Sequence, residues 1–338
     1  HQLTLTAIHD AMSENHQGAK RMMLLQRLIV GIALTVLPFA AVAEDFPSKP
    51  IEVVIHSSYG GGTDTTARMM MIRSRRNLET DMFVVSKRGG SGATAQGYVL
   101  SKPADGYTIM ALTQTHLYTM AQGKSDMKID DIVGIARAMD DPTFIAVGKD
   151  SPHQTLDDLV AAGKAGALNW GVANIGGTEH IGLAQLAKAS GMNYKPVAMG
   201  SGLQMVQGLV SGELDATLPN VSEGGAMIED GSIRPLAVMA KERLEGYPDV
   251  PTTWELGHEV STSTTRGYAV RAGTPPEIIE MLSEALVKAM QHETFANYLR
   301  SSGLEPESSV AGTEVWDKHL KEEYAKAAEA LKELAVAE

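Results

Sequence analysis

The sequence contains no cysteine among its 338 residues, which excludes disulfide bonds, thiolate catalysis and thiolate metal sites. It is also short of positive charge, because 29 Lys and Arg stand against 41 Asp and Glu and give a net charge of −12. A nucleic-acid partner requires clustered positive charge, so we expect none. An anionic ligand is compatible with this composition, provided that backbone N–H groups and a few side chains meet its charge locally.

Several enzyme motifs are missing as well. The sequence has neither a G-x-x-x-x-G-K-[ST] segment nor a G-x-S-x-G segment, which removes the P-loop and the commonest serine-hydrolase turn. Residues 90–95 satisfy the relaxed dinucleotide pattern G-x-G-x-x-A, but no Asp or Glu follows about 20 residues on to hold a ribose. No pair of histidines has metal-ligand spacing beside a carboxylate. We therefore expect no catalytic residues, no cofactor and no metal.

The N-terminal segment has the three parts of a secretory signal. Basic residues precede an apolar stretch at 28–41, which ends in the small residues Ala41-Val42-Ala43. The stretch is shorter than the roughly 20 residues that a membrane span needs, so we predict export to the periplasm. The expected segments are a non-native upstream leader at 1–21 and a signal peptide at 22–43, which starts at Met22 or Met23 and is cleaved near Ala43–Glu44.

After Pro47, short apolar runs alternate with longer helical patterns, which is typical of α/β units. A chain of this length is at the size where one hydrophobic core usually divides into two. Ser201 and Gln204 form a capping box, and Thr274-Pro275-Pro276-Glu277 marks a second helix start. The predicted strands are 51–55, 82–85, 107–112, 144–147, 167–172, 196–199, 214–218 and 236–239; the predicted helices are 65–76, 93–101, 156–162, 181–189 and 313–334.

Four glycine-rich turns, each between a predicted strand and a helix, indicate an anion-binding crevice. They lie at 57–64, 88–94, 174–180 and 199–202. Glycine permits positive φ and removes the Cβ that would keep a ligand away, while the following helix directs free N–H groups into the turn. One such turn is more often structural than functional. Four of them in one α/β chain are expected to meet at the carboxyl ends of the strands and to receive a carboxylate or phosphate there.

Motifs in a fixed order connect the chain to a family. Gly60-Gly61-Gly62-Thr63-Asp64 follows the first strand, Pro103-Ala104-Asp105-Gly106-Tyr107-Thr108 leads into the third, and an L-x-x-G-x-x-D segment spans 209–215. Similar segments continue at 234–238, 248–252 and 272–276. With these motifs, over nearly all of 44–310, the chain resembles the solute-binding proteins of tripartite tricarboxylate transporters, which are the Bug-type periplasmic receptors.

The resemblance implies a type II periplasmic-binding-protein fold, with two α/β domains, a ligand cleft between them and two crossover segments. It also implies a monomeric receptor that captures a small carboxylate and delivers it to an integral membrane permease. The family's ligands are di- and tricarboxylates, acidic amino acids and aromatic acids. The expected domains are 44–142 with 267–338, and 143–266, and the chain is expected to cross between them near 141–143 and 266–268.

The resemblance also implies a set of ligand-binding residues. Carried over by position, they are Ser57, Ser58, Gly61, Gly62, Thr63 and Asp64 on one side of the cleft, and Gly176, Gly177, Thr178 and His180 on the other. We add Tyr59, Gly60, Thr113, Gln114, Asn174, Gly200, Ser201 and Asn220 to the expected site. Asp64 could instead cap its helix, and His180 could be a packed histidine bonded to backbone.

Two alternatives to a transport receptor stay open at the level of sequence. One is an exported hydrolase of a carboxylic ester or amide, with Ser57 or Ser58 as nucleophile and His180 as base. The other is a ligand sensor that signals to a membrane kinase. The segment His56-Ser57-Ser58-Tyr59 stands where the family often has a small apolar residue and Pro-Ala, so the identity of the ligand is not transferred.

Overall fold

The computed structural model describes residues 46–334, so the predicted leader and signal peptide lie outside the described residues. Strands and helices alternate along this part of the chain and form two separate sheets, which confirms the predicted α/β class. No helix within 46–334 is long and apolar enough to cross a membrane. The helices are α1 (Gly62–Asn77), α2 (Ala93–Leu100), α3 (Gln114–Ala121), α4 (Leu156–Ala165), α5 (Thr178–Ser190), α6 (Gly202–Ser211), α7 (Val221–Glu229), α8 (Pro276–Met290), α9 (Glu293–Ser301), α10 (Pro306–Ser309) and α11 (Thr313–Leu334).

The first sheet has six strands in the order β11-β4-β10-β3-β1-β2. Strand β1 pairs in parallel with β2 and β3, whereas β10 runs antiparallel to both β3 and β4. The apolar sequence of β1 is almost entirely buried, as expected of a central parallel strand covered by helices on both faces. The strands are β1 (Ile51–Ile55), β2 (Met82–Ser86), β3 (Thr108–Leu112), β4 (Ile132–Pro142), β10 (Ser263–Arg271) and β11 (Ala311–Gly312).

The second sheet has five strands in the order β7-β6-β8-β5-β9, with β6 parallel to β7 and β8. Its core is a separate hydrophobic cluster around the fully buried Trp170, Leu183 and Leu186. The strands are β5 (Phe144–Gly148), β6 (Leu168–Val172), β7 (Tyr194–Ala198), β8 (Ala216–Thr217) and β9 (Ile233–Val238). Two sheets with distinct cores give the two-domain α/β architecture that the sequence predicted.

The chain passes from the first sheet to the second between β4 and β5, across Thr143, and returns between β9 and β10. Strand β10 pairs with β4 from Ser263 onwards, so the predicted boundary at residue 266 lies inside a strand of the first sheet. The C-terminal helix α11 packs on the same sheet through Trp316, whose Nε1 donates to the carbonyl of Tyr268 at 3.1 Å. A Cβ on Gly134 would lie 2.8 Å from the Trp316 ring, so a glycine in β4 permits this close packing.

Most predicted elements are present, with ends that differ by a few residues. Helix α5 starts at Thr178 rather than at 181, and β9 starts at Ile233 rather than at 236. The strands β4, β10 and β11 and the helices α3, α7, α9 and α10 were not predicted. The long strands β4 and β10 lack a clear hydrophobic pattern because they carry charged residues whose partners lie inside the protein, among them Asp141 and Arg266.

Candidate functional site

Four strands end at one enclosed pocket. After β1, β3, β6 and β7 the chain turns into α1, α3, α5 and α6, so the first residues of these helices approach the pocket from both sheets. This is the crevice at the carboxyl ends of strands where α/β proteins commonly bind ligands. The lining residues are His56, Ser57, Gly62, Thr63, Thr113, Thr115, Ala173, Asn174, Glu179, Ser201, Gly202, Glu223, Thr264 and Arg266.

The turn between β1 and α1 is held in place by its own residues. Gly60 has a φ of +84°, and its amide donates to Oδ2 of Asp64 at 2.7 Å. The other oxygen of Asp64 pairs with Nε of Arg68 at 2.9 Å. Asp64 therefore orients the turn from behind, and it is not among the residues that line the pocket.

Loops from the two sheets touch each other around the pocket. The contacts are hydrogen bonds from Ser58 Oγ to Gln204 Oε1 at 3.1 Å, from Gln122 Nε2 to the carbonyl of Gly176 at 3.0 Å, from Ser91 Oγ to the carbonyl of Ile175 at 2.6 Å, and between the Oγ1 atoms of Thr115 and Thr178 at 3.1 Å. The lobes are therefore closed upon each other, with the pocket at their junction.

A buried cluster of charges forms the floor of the pocket. Arg266 pairs through Nη1 with Asp141, and its Nη2 lies 3.2 Å from both Oε1 of Glu223 and Oδ1 of Asn220. The side chains of Arg266, Asp141 and Glu223 are only 4%, 0% and 8% exposed. Burial opposes the charge on Arg266, yet Asp141 and Glu223 raise its pKa above the ordinary value, so the guanidinium stays charged.

Burial acts on the pKa of both carboxyl groups in this cluster. Burial raises the pKa of Asp141, an effect that Arg266 and Ser222 oppose. Burial likewise raises the pKa of Glu223, against the attraction of Arg266 and with a further upward contribution from Asp141. One cation thus holds two buried acids, of which Glu223 lines the pocket.

Glu179 adds a third buried carboxyl group, at the first turn of α5. The backbone N–H groups of Ala173 and of Glu179 itself act to lower its pKa, while Oε2 has no hydrogen-bond partner among the described residues. Burial, assisted by the charge of Glu223, raises the pKa of Glu179 to about 7. The group therefore titrates near neutral pH, and one of its buried oxygens is unpartnered.

His56 lines the pocket, and the ring of His116 packs against it with the two centroids 4.3 Å apart. Burial, together with the charge of Arg266, lowers the pKa of His56 to about 4, and burial lowers the pKa of His116 well below its usual range. The backbone amide of Thr113 donates to Nδ1 of His116 at 3.1 Å. Both rings are therefore neutral at pH 7, and His116 carries its proton on Nε2.

The structure brings about a third of the predicted site residues into the pocket lining. Those in the lining are Ser57, Gly62, Thr63, Thr113, Asn174 and Ser201. Those in the turns around it but outside the lining are Ser58, Gly60, Gly61, Asp64, Gly176, Gly177, Thr178 and Gly200. The remaining four, Tyr59, Gln114, His180 and Asn220, have other contacts.

These four residues are engaged elsewhere. The Tyr59 side chain is 57% exposed, and its hydroxyl accepts the amide of Ser86 at 3.2 Å. His180 accepts the amide of Gly176 on Nδ1 at 2.8 Å and packs edge-on against Tyr194, so its ring helps to shape a turn. The amides of Gln114 and Asn220 bond Thr265 and Asp141–Thr143 respectively, next to the crossovers.

Sequence reasoning missed the charged residues of the pocket. Glu179 lies within the third glycine-rich turn, directly after Thr178, and was passed over as part of a helix start. Glu223 stands three residues after Asn220 in a capping-box spacing, which was the available signal. Arg266 was placed near a crossover, but no local pattern shows that its partners are Asp141 and Glu223.

The hydrolase alternative finds no support in this geometry. Ser57 Oγ lines the pocket without a hydrogen-bond partner among the described residues, and His180 is committed to Gly176 outside the lining. A nucleophile requires a base within hydrogen-bond reach. Within 46–334 no group of three or more His, Asp or Glu residues is arranged to hold a metal ion.

The closed two-lobed architecture, with two crossovers and a pocket at the junction, defines a solute-binding protein of the type II periplasmic class. The sequence profile described as "Tripartite tricarboxylate transporter family receptor" matches residues 66–336. The chain belongs to this family. Comparison with known proteins thus confirms both the resemblance and the fold predicted from the sequence.

Individual relatives agree with this assignment. BugT of Bordetella pertussis is 27% identical over 292 residues, which cover 82% of this chain and 88% of BugT. A TctC solute-binding protein from Polaromonas is 28% identical with a TM-score of 0.63, and the match covers 85% of this chain and 99% of that one. MatC of Rhodopseudomonas palustris, solved with bound malate, shares the fold at a TM-score of 0.80 and 23% identity, over 85% of this chain and 100% of MatC.

Proposed function

We propose that this protein is an exported receptor that binds a small carboxylate-bearing solute in the pocket between its two sheets and delivers it to a tripartite tricarboxylate-type permease. The observation that carries the proposal is a pocket lined from both sheets and enclosed by loops that touch across it. Polar atoms in its lining, among them Ser57 Oγ and His56 Nδ1, have no hydrogen-bond partner among the described residues. Such atoms cost free energy when buried, so a polar guest that bonds to them stabilises the closed form.

Opening and closing of the lobes is the proposed means of delivery. Hydrogen bonds that cross the pocket, such as the two between Thr115 and Thr178, join loops and helix starts and not strands, so they can break without disturbing either sheet. A ligand that bridges the lobes favours the closed form by its greater affinity for that form. The permease would then recognise the surface that closure creates.

Ligand binding is expected to raise the melting temperature of the protein that begins at Glu44. We expect a shift of several degrees with the correct ligand, because a ligand at about 100 times its Kd stabilises the folded state by about 2.7 kcal/mol. A panel of small carboxylic acids is the first choice, since a relative of the same fold holds malate. Mass spectrometry should recover the ligand unchanged; chemical turnover that disappears in Ser57→Ala would contradict a receptor.

Valine at Gly61 or Gly177 is expected to weaken ligand binding at least tenfold. A Cβ on Gly61 would lie 2.9 Å from Cβ of Ser201, and one on Gly177 would lie 2.9 Å from Oγ1 of Thr115. Both contacts cross the cleft, so the added side chain holds the lobes apart. Both glycines precede helices in extended conformations, with φ of −74° and −89°, which valine also adopts, so the fold should be retained.

Titration calorimetry with the best ligand of the panel measures this loss, and small-angle X-ray scattering reports whether the lobes still close. The matched control is Gly166→Val, because Gly166 has an extended φ of −171° and open space around its Cβ position. Normal affinity in both cleft variants would place the ligand outside this pocket. Unchanged circular dichroism separates blocked closure from unfolding.

A further inference from the structure

The carboxylate of Glu223 lies where two helices begin. Its Oε1 accepts the amide of Gly62, the first residue of α1, at 3.2 Å. A Cβ on Gly202, the first residue of α6, would overlap the carboxylate of Glu223, so this group rests directly on the start of a second helix. The same carboxylate also pairs with Arg266.

Helix starts attract anions because their N–H groups are free and their dipoles are positive at that end. The starts of α1 and α6 come from different sheets, and they form the anion position that the glycine-rich turns predicted. In this protein a side chain of the chain itself fills that position. Glu179 likewise places a carboxyl group at the start of a helix, in the first turn of α5.

The charges around the pocket do not favour a second anion at this point. Of the described residues that line the pocket, Arg266 is the one that carries a positive charge, and Asp141 and Glu223 already neutralise it. Histidines 56 and 116 are neutral. A ligand carboxylate placed beside Glu223 would face a like charge in a buried site, where such repulsion is strong.

The second observation is the free oxygen of Glu179. The residue is 8% exposed, lines the pocket, and its Oε2 has no hydrogen-bond partner among the described residues. A buried carboxyl oxygen of this kind requires a donor. Donors in the lining such as Ser57 Oγ, Thr113 Oγ1 and Nε of Arg266 have no hydrogen-bond partner among the described residues either, so none of them bonds this oxygen, and we take the ligand as the source of its donor.

We propose that Glu223 is a built-in carboxylate that occupies the anion position between α1 and α6, and that the ligand presents an N–H group, an ammonium or an amide, to Glu179 and Glu223. The inference rests on the proposed receptor function. The ligand's carboxylate is then received by Ser57 Oγ and Nδ1 of the neutral His56 ring, two lining atoms without a hydrogen-bond partner among the described residues. Glu223 thus determines specificity by excluding simple dicarboxylates.

A purely structural role for Glu223 is the alternative, since it stands in capping-box spacing to Asn220 at the start of α7. The substitution Glu223→Gln separates the two roles, because glutamine also serves at the third position of a capping box. It keeps the cap and removes the charge. Glu229→Gln is the matched control, since Glu229 is an exposed residue at the end of the same helix.

The test compares ligands of equal length by titration calorimetry. Succinate and glutarate are paired with their monoamides and with 4-aminobutanoate and 5-aminopentanoate. We expect the unaltered protein and Glu229→Gln to bind an amide or amine member at least tenfold tighter than the matching dicarboxylate. Glu223→Gln should bind the dicarboxylate at least tenfold tighter than the unaltered protein does, and Glu179→Gln should lose affinity for the amine members.

The outcomes distinguish this inference from the function on which it rests. The role of Glu223 would be overturned if the unaltered protein bound a dicarboxylate more tightly than the matching amide or amine, and if Glu223→Gln left the ratio of these two affinities unchanged. Such a result would still support the receptor function. Failure of every panel member to bind would overturn the proposed function and the inference together. Because Glu179→Gln tests the same N–H contact, a folding defect in Glu223→Gln would not remove the test.

Discussion

Replacing Arg266 by Met is expected to lower the free energy of unfolding by about 3–5 kcal/mol. Among residues 46–334, Arg266 is the guanidinium that contacts both Asp141 and Glu223, and all three side chains are less than a tenth exposed. Removal of the cation leaves two carboxylates buried without their partner, and the cost of an unpaired buried charge is large. Methionine retains most of the volume, so the loss reports charge rather than a cavity.

Urea denaturation measures this effect, and the slope of the unfolding free energy against urea concentration is compared between variants. Further replacement of Asp141 by Asn and Glu223 by Gln should recover most of the loss, because neutral side chains no longer need the guanidinium. Arg300→Met is the control: Arg300 is 43% exposed and pairs with the exposed Glu293, so we expect a change within about 0.5 kcal/mol. A cost below about 1 kcal/mol for Arg266→Met would show that the cluster is open to water.

The position of this cluster connects stability with closure. Asp141 and Arg266 lie on β4 and β10, the strands next to the crossovers, whereas Asn220 and Glu223 lie at the start of α7 beside the second sheet. Glu223 also reaches the first residue of α1 across the cleft. The same guanidinium therefore helps to link the two lobes and holds the carboxylate that we infer to set ligand specificity.

The stability of the protein is expected to respond to pH in opposite directions through His56 and Glu179. The pKa of His56 is about 4 in the folded state against 6.5 for the free side chain. The unfolded chain therefore takes up this proton first, and stability is lost as the pH falls from about 6.5 to about 4. For Glu179 the folded pKa is about 7 against 4.5, so stability is lost as the pH rises from about 4.5 to about 7.

Single replacements should reveal these two opposing contributions. At about 1.4 kcal/mol per pKa unit, each group changes the difference in unfolding free energy between pH 5 and pH 8 by about 2 kcal/mol. Relative to the unaltered protein, His56→Asn should therefore gain stability at pH 5 compared with pH 8. Glu179→Gln should gain stability at pH 8 compared with pH 5. Urea denaturation at both pH values measures the two differences.

If the unfolding free energy of both variants depended on pH in the same way as that of the unaltered protein, neither group would be buried as the structure places it. The pKa of His116 is lowered by burial and by the charge of His56, whose ring centroid is 4.3 Å away, so the profile of His56→Asn reports the two histidines together. Arg266 faces His56 and Glu179 alike, where it lowers the pKa of each. A variant at that position would alter both profiles, and it is therefore unsuitable as a control.

Much of the architecture follows from patterns between near neighbours. The buried run of β1, the glycines before α1 and α5, and the cap formed by Ser201, whose Oγ accepts the amide of Gln204 at 3.4 Å, were predicted and are present. The long strands β4 and β10 were missed. Their charged residues interrupt the hydrophobic pattern, and only pairing within the folded protein makes these residues suitable for burial.

The chain alone was sufficient to define the family, the two-lobed fold and three of the four glycine-rich turns expected at the pocket, because helix starts, glycine turns and strand patterns depend on residues close together in sequence. No residue of the turn at 88–94 lines the pocket. The electrostatics of the pocket required the folded protein. Arg266 and Asp141 are 125 residues apart, and Gly62 and Glu223 are 161 apart. Charge interactions depend on distance and burial in space, so no local pattern could show that the predicted anion position already holds a carboxylate of the protein.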